Sequence, residues 1–325
     1  MSSRVRFDRG VFTLSLDLEL LWGTLDLYGP SGFRDACEVE RREIVDRLLD
    51  LFAEFEIPAT WCVLGHLFLD HCAAAGGVKH PEIILPPRSR ASWFEHDPCG
   101  DERRDPLFYG RSLIEKIRRC RVPQEIGSHS FSHVIFDDCS RETAASELAA
   151  CVRAAREMGI ELRSFVFPRN RIGHLDSLSA HGFACYRGPE PSWYEREPLP
   201  AAAKRLGHLA DVLRAAEPPV VLPQRTAEGL WNVPASMMYF PMHGLRRHVP
   251  PALRVRRAFK GLRAAARHRA IFHLWFHPTN FADETEAMFQ GLREILADAA
   301  SRRKRGEIEI VPMGAVAERA ALLAA

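Results

Sequence analysis

At 325 residues the chain is long enough to bury a large core, in one domain or two. Hydrophobic residues make up 46% and charged residues 26%, a globular balance that excludes disordered and fibrous classes. The net charge of +2 leaves no electrostatic footprint for nucleic acid.

No run reaches the ~18 uncharged apolar residues of a membrane span, so no transmembrane segment is expected. Met1 to Gly10 is polar and the apolar stretch after it is broken by Asp17 and Glu19, which reads as no secretory signal and a cytoplasmic location. The eight cysteines (37, 62, 72, 99, 120, 139, 151 and 185) contain no CxxC pair, which argues against a thiolate zinc site and a disulfide scaffold. The basic runs Arg246-Arg247-His248 and Arg302-Arg303-Lys304-Arg305 read as solvated helix faces or ends.

In chain order, Val11 to Leu18 is a short apolar run ending in carboxylates, the pattern of a buried strand. Arg42 to Phe55 places Ile44, Val45, Leu48, Leu49 and Phe52 on one helical face. Ile57 to Gly65 is a second buried strand, and residues 73–107, rich in Gly, Pro and charge, read as a long loop. A helix over 113–120 and a short strand over 124–127 follow. Ser140 is the N-cap of a helix that runs to Met158 and stops at Gly159.

Arg163 to Pro168 and Phe183 to Arg187 are strands around a helix over 174–181. The proline-rich segment from about 189 to 230 breaks this rhythm and reads as an insertion. Trp231 to Met238 and Ala270 to Phe276 are strands separated by a basic helix, and a helix, a strand and a last helix close the chain. Strands alternating with helices predict an α/β fold with parallel strands and βα units. We expect a single domain over 1–325, with its core at about 11–313.

Two pairs of residues carry chemistry. Asp17 and Glu19 are two apart in an apolar strand, so both project from one side at its C-terminal end, where α/β barrels place their active sites. Asp and Glu are poor strand formers, and two of them in such a run cost stability unless they are used. His129 and His133 are four apart, a spacing that puts both rings on one face of a helix. Two imidazoles and two carboxylates make up the ligand and base set of a hydrolytic metal centre. Later in the chain, His273 and His277 share a strand face, and His277 lies at its reactive end, before Pro278.

These segments resemble the polysaccharide deacetylase (NodB-homology) family. His129-Ser130-Phe131-Ser132-His133 matches its His-Ser/Thr-x-x-His motif in full. Asp17-Leu18-Glu19 is similar to its acidic motif, Ala59 to Gly65 to its second strand, and Leu274 to Pro278 to its late histidine motif. The resemblance implies a distorted, seven-stranded (β/α) barrel that hydrolyses non-peptide carbon–nitrogen bonds. It implies Glu19, His129 and His133 as ligands of a divalent metal, Zn²⁺ being the usual ion, with Asp17 as general base and His277 as general acid.

The sequence departs from the family pattern in three places, one being that the usual Asp/Trp motif supporting the general acid is not obvious. Glu19 stands where Asp is usual, as it does in a metal-free branch resembling allantoinase. Val166 stands where an Arg is usual, so Arg169, just after Pro168, is the candidate to orient Asp17; its alternative is a surface salt bridge. Arg187, Trp193 and Trp231 are candidates only for lining a cleft, and Trp22 is the aromatic residue best placed to stack on a sugar.

The expected substrate is an N-acetylated sugar in a glycan or glycolipid precursor. The residues leave open a metal-free allantoinase-like amidohydrolase, a glycosidase using Asp17 and Glu19, and a non-catalytic glycan-binding barrel.

Overall fold

A computed structural model describes residues 5–72, 74–196 and 199–324. The start of the polar N-terminal stretch (1–4) and two positions of the expected insertion (197–198) lie outside the described residues.

The strands are β1 Gly10–Leu18, β2 Thr60–Val63, β3 Glu125–Ser128, β4 Ser164–Val166 and β5 Cys185–Arg187. They are followed by β6 Gln224–Arg225, β7 Trp231–Asn232, β8 Met237–Met238, β9 Ile271–Phe276 and β10 Ile308–Ile310. β1 pairs in parallel with β2 on one side and β9 on the other, with β10 against its first residues. All nine of its residues are buried, the mark of a parallel strand covered on both faces.

The sheet continues through β3, β4, β5 and β7 in parallel. Residues 231–239 close the circle. Trp231, Val233 and Ala235 donate their amides to the strand around β5, while Ser236 and Tyr239 donate theirs to β9. The expected strand Trp231 to Met238 is thus split into β7 and β8, which face different neighbours. A barrel results, with helices outside and the C-terminal ends of β1, β3, β5 and β9 at one mouth.

The helices follow their apolar periodicity. Val45–Phe55 buries Val45, Leu48, Leu49, Leu51 and Phe52 and ends at Glu56 in the left-handed region (φ 54°). A π-turn over Glu40–Ile44 precedes it and carries Glu40 into the interior. Arg141–Glu157 starts at Ser140, whose hydroxyl accepts from the Thr143 amide at 3.1 Å. Among the described residues of the segment read as a loop lies one helix, Pro87–Trp93. The 189–230 segment contains helices Trp193–Arg196 and Ala201–Leu213. No helix among the described residues is long and apolar enough to cross a membrane.

Candidate active site

β1 delivers Asp17 and, one residue past its end, Glu19. Leu20 then takes φ 49° and the chain turns through Leu20–Gly23 back over the carboxylate. A β-carbon on Gly23 would lie 1.7 Å from Glu19 Oε2, so the absence of a side chain there makes room for the acid.

β3 delivers the histidines, though on a turn and not the expected helix. Ser130 and His133 both adopt left-handed backbone (φ 61° and 65°), which breaks any helical run. Buried Glu147, on the helix Arg141–Glu157, holds this turn in place of helical hydrogen bonds. Its carboxyl accepts from the amides of Phe131 and Ser132 at 2.8 and 2.9 Å and from the Ser132 hydroxyl at 2.5 Å.

Five residues chosen from the sequence meet at this mouth. Glu19 Oε1 lies 2.7 Å from His129 Nε2, 3.5 Å from His133 Nε2 and 3.5 Å from His277 Nε2. His277 Nε2 is 3.7 Å from Asp17 Oδ2. His277 alone of the five is substantially open, at 25% exposure, so it faces the cleft. His273 instead points into the barrel, fully buried, with Nε2 2.9 Å from Ser15 Oγ. It is a packing histidine.

Arg169 does not reach Asp17. It pairs with Asp26 at the rim, because its left-handed backbone (φ 54°) turns it outward. Arg187, at the end of β5, takes that place, donating to Asp17 Oδ1 at 2.8 Å and Oδ2 at 2.6 Å. It also donates to Ser15 Oγ at 3.0 Å and lies 4.2 Å over the ring of Trp275, whose indole N–H donates to Glu190. Trp22 is 3% exposed and packs 4.4 Å from His66, so only an edge of it borders the cleft.

Burial works against the charge on both acids. For Asp17 it is outweighed by Arg187, then by His129 and His277, and the pKa stays below the ordinary carboxylate value. For Glu19 the three histidines outweigh it and hold the pKa well down. Burial likewise disfavours the His277 imidazolium, but the charge of Glu19, its hydrogen bond and then Asp17 raise the pKa to about 9. Glu40, which no sequence signal marked, is fully buried with no hydrogen bond to either carboxyl oxygen. Burial and then the charge of Glu19 push its pKa well up.

The donor set suits a divalent ion. His129 Nδ1 lies 2.9 Å from the Val166 carbonyl oxygen, which fixes the N–H on that nitrogen and turns Nε2 toward Glu19. Nε2 is buried and has no hydrogen-bond partner, although a carboxylate oxygen lies 2.7 Å away. A shared proton or a shared cation satisfies that contact. One atom from each of Glu19, His129 and His133 lies within 4.8 Å of the others.

The sequence profile of polysaccharide deacetylases matches residues 32–175, which contain both motif histidines. No curated protein matches the sequence. Among solved structures, one described as a polysaccharide deacetylase from Mycobacterium smegmatis superposes with TM-score 0.64 at 15% identity, over 99% of this chain and 94% of that one. Another so described, from Pseudomonas aeruginosa PAO1, gives 0.60 at 11% identity over 95% and 90%. The PuuE allantoinase gives 0.59 at 10% identity over 95% and 89%. At these identities the likeness is one of fold. Residues 32–175, with the His129–His133 motif among them, match the polysaccharide deacetylase profile, and the chain shares its fold with the solved structures so described.

Proposed function

We propose that this protein is a metal-dependent N-deacetylase of an acetylated sugar, with Glu19, His129 and His133 as the metal ligands. The observation that carries the reading is the buried, unpartnered His129 Nε2 aimed at Glu19. Zinc would suit two imidazoles and a carboxylate. When bound, such an ion polarises an amide carbonyl and acidifies water.

The chain's own residues would supply the proton transfers. Asp17 is ionised and locked in orientation by Arg187, ready to accept a proton from the attacking water at Oδ2. His277, protonated at neutral pH and facing the opening, is the group to give a proton to the departing amine. The pair argues against a glycosidase. Retaining and inverting enzymes need one carboxyl kept protonated, whereas both acids here are held below their usual range.

Two cavities support a sugar with an apolar extension. One of about 270 Å³ lies between Trp22, Trp93 and His133. The other, of about 920 Å³, is bordered by Trp275 and Asn170 and lined by Leu209, Val212, Met238 and Phe240, with Arg169 and Arg246 beside them. An apolar slot with basic groups beside the mouth fits a glycolipid precursor with an anionic headgroup. The cysteines, all unpaired, fit a reducing cytoplasm.

The test is acetate release from N-acetylglucosamine oligomers by the zinc-loaded protein. Loss of acetate release together with a zinc equivalent in His129→Ala/His133→Ala supports the proposal. Full activity after complete metal removal favours the metal-free reading, and no turnover of any acetylated sugar or glycolipid overturns the hydrolytic one.

A further inference from the structure

A second group of ligating side chains lies apart from the barrel mouth. Between β2 and the helix Arg111–Arg118 the chain has little regular structure, with the turn Gly65–Phe68 and the helix Pro87–Trp93 as its helical pieces. A segment this long and irregular needs something besides backbone ladders to hold it. Four side chains from it converge: His66, Cys72, His80 and Asp97 each offer one atom, all within 4.8 Å of one another. Three of these residues are buried and Cys72 is partly so.

Each of three is aimed inward by an outer contact. His66 Nδ1 lies 2.9 Å from the Phe108 carbonyl oxygen, which turns Nε2 to the centre. That Nε2 is fully buried, has no hydrogen-bond partner, and lies 3.4 Å from Asp97 Oδ2. Asp97 Oδ1 accepts from the Cys99 amide at 3.0 Å, leaving Oδ2 for the centre, 2.6 Å from His80 Nε2 and 3.6 Å from Cys72 Sγ. The Tyr109 hydroxyl accepts from the Gly100 amide at 3.0 Å and holds Cys72 Sγ, also at 3.0 Å, in a hydrogen bond in which either atom can donate. Outer contacts of this kind are what orient metal ligands.

We propose that His66, Cys72, His80 and Asp97 form a structural zinc site that fastens the 69–109 segment to the barrel. Two nitrogens, one thiolate sulfur and one carboxylate oxygen make a closed tetrahedral set, and thiolate with imidazole selects zinc over magnesium or calcium. The spacings, His66-x₅-Cys72-x₇-His80-x₁₆-Asp97, follow no regular zinc motif, and the absence of a CxxC pair hid the site in the sequence.

The site bears on the cleft. Trp22 packs against His66 at 4.4 Å, and its indole N–H donates to the same Phe108 carbonyl at 3.1 Å. Trp22 together with Ser92 and Trp93 of the fastened segment forms a wall of the cavity beside His133.

The test keeps the two centres apart. His129→Ala/His133→Ala, which strips the mouth of ligands, is expected to retain one zinc equivalent. With Co²⁺ in place of zinc it should give a thiolate-to-cobalt charge-transfer band, for which the mouth has no sulfur ligand. Cys72→Ser should abolish that band. If Cys72→Ser does not fold, chelation of the wild-type protein gives the second measurement: proteolysis within 69–109 should quicken at least roughly tenfold. No retained zinc and no cobalt band in His129→Ala/His133→Ala overturns the proposal, leaving a protonated His80–Asp97 pair as the bond that holds the segment. A band that survives Cys72→Ser overturns it as well, as does proteolysis unchanged by chelation.

Discussion

Arg187 closes both terminal nitrogens on the carboxylate of Asp17, at 2.8 and 2.6 Å, across 170 positions of sequence. Both side chains are almost wholly buried. A planar fork matched to a carboxylate fixes orientation as well as charge, which a lysine cannot reproduce.

Arg187→Lys should therefore lower kcat/KM by roughly a hundredfold with the chain still folded, since a base out of line loses most of its effect. It should also raise the Asp17 pKa and move the acid limb of the pH profile upward. Arg169→Ala should leave kcat nearly unchanged and stability within about 1 kcal/mol, because its ion pair with Asp26 is partly exposed. Steady-state kinetics and thermal melts of the two variants, side by side, check this. Equal losses of kcat would contradict the assignment of Arg187 over Arg169.

Gly23→Ala tests the roof over Glu19. The new methyl meets the far end of a flexible side chain, so the fold should tolerate it while the Glu19 carboxylate moves. We expect a melting temperature close to wild type, a metal affinity weakened by about tenfold or more, and activity reduced in parallel. Metal titration with a competing chelator reads the affinity directly.

Glu147→Ala removes the acceptor for two buried amides and one hydroxyl at the histidine turn. The orphaned amides should cost roughly 2–5 kcal/mol. Urea unfolding measures the loss, and Glu147→Gln, which keeps one acceptor oxygen, should recover part of it.

His273 gives the pH dependence. Burial, then the charge of Arg187, pushes its pKa down to about 3, against about 6.5 in the unfolded chain. The folded protein keeps it neutral, while below about pH 6.5 the unfolded chain takes up a proton that the fold refuses. Stability from this residue is complete above about pH 6.5 and falls as the pH drops toward 3, by up to ~1.4 kcal/mol per unit. His273→Gln should show a shallower loss of urea stability than wild type between about pH 7 and pH 4. Parallel curves for the two proteins would rule out His273 as the source.

The sequence was most legible where one local pattern decides the outcome. The apolar run of β1, the Ser140 cap and the amphipathic face of Val45–Phe55 each follow from neighbours in the chain. Asp17, Glu19, His129, His133 and His277 were visible because each stands at the end of an apolar run. What stayed hidden depends on contacts across the barrel. Arg187 reads locally as one more strand residue, and its partner becomes apparent only when β5 and β1 face each other around the ring. Glu147 lies on an ordinary helix, and Glu40 enters the core through a π-turn that no periodicity announces. The histidine pair misled in one respect: four-residue spacing suits a helix, but two left-handed residues achieve the same convergence in a turn, with ring centroids 5.3 Å apart.

The most direct measurement is single-turnover acetate release by Asp17→Asn, compared with wild type at matched zinc content and matched melting temperature. The account predicts a fall of at least about a hundredfold, because the amide cannot accept the proton of the attacking water. Acetate release at the wild-type rate from that folded, metal-loaded variant would contradict it.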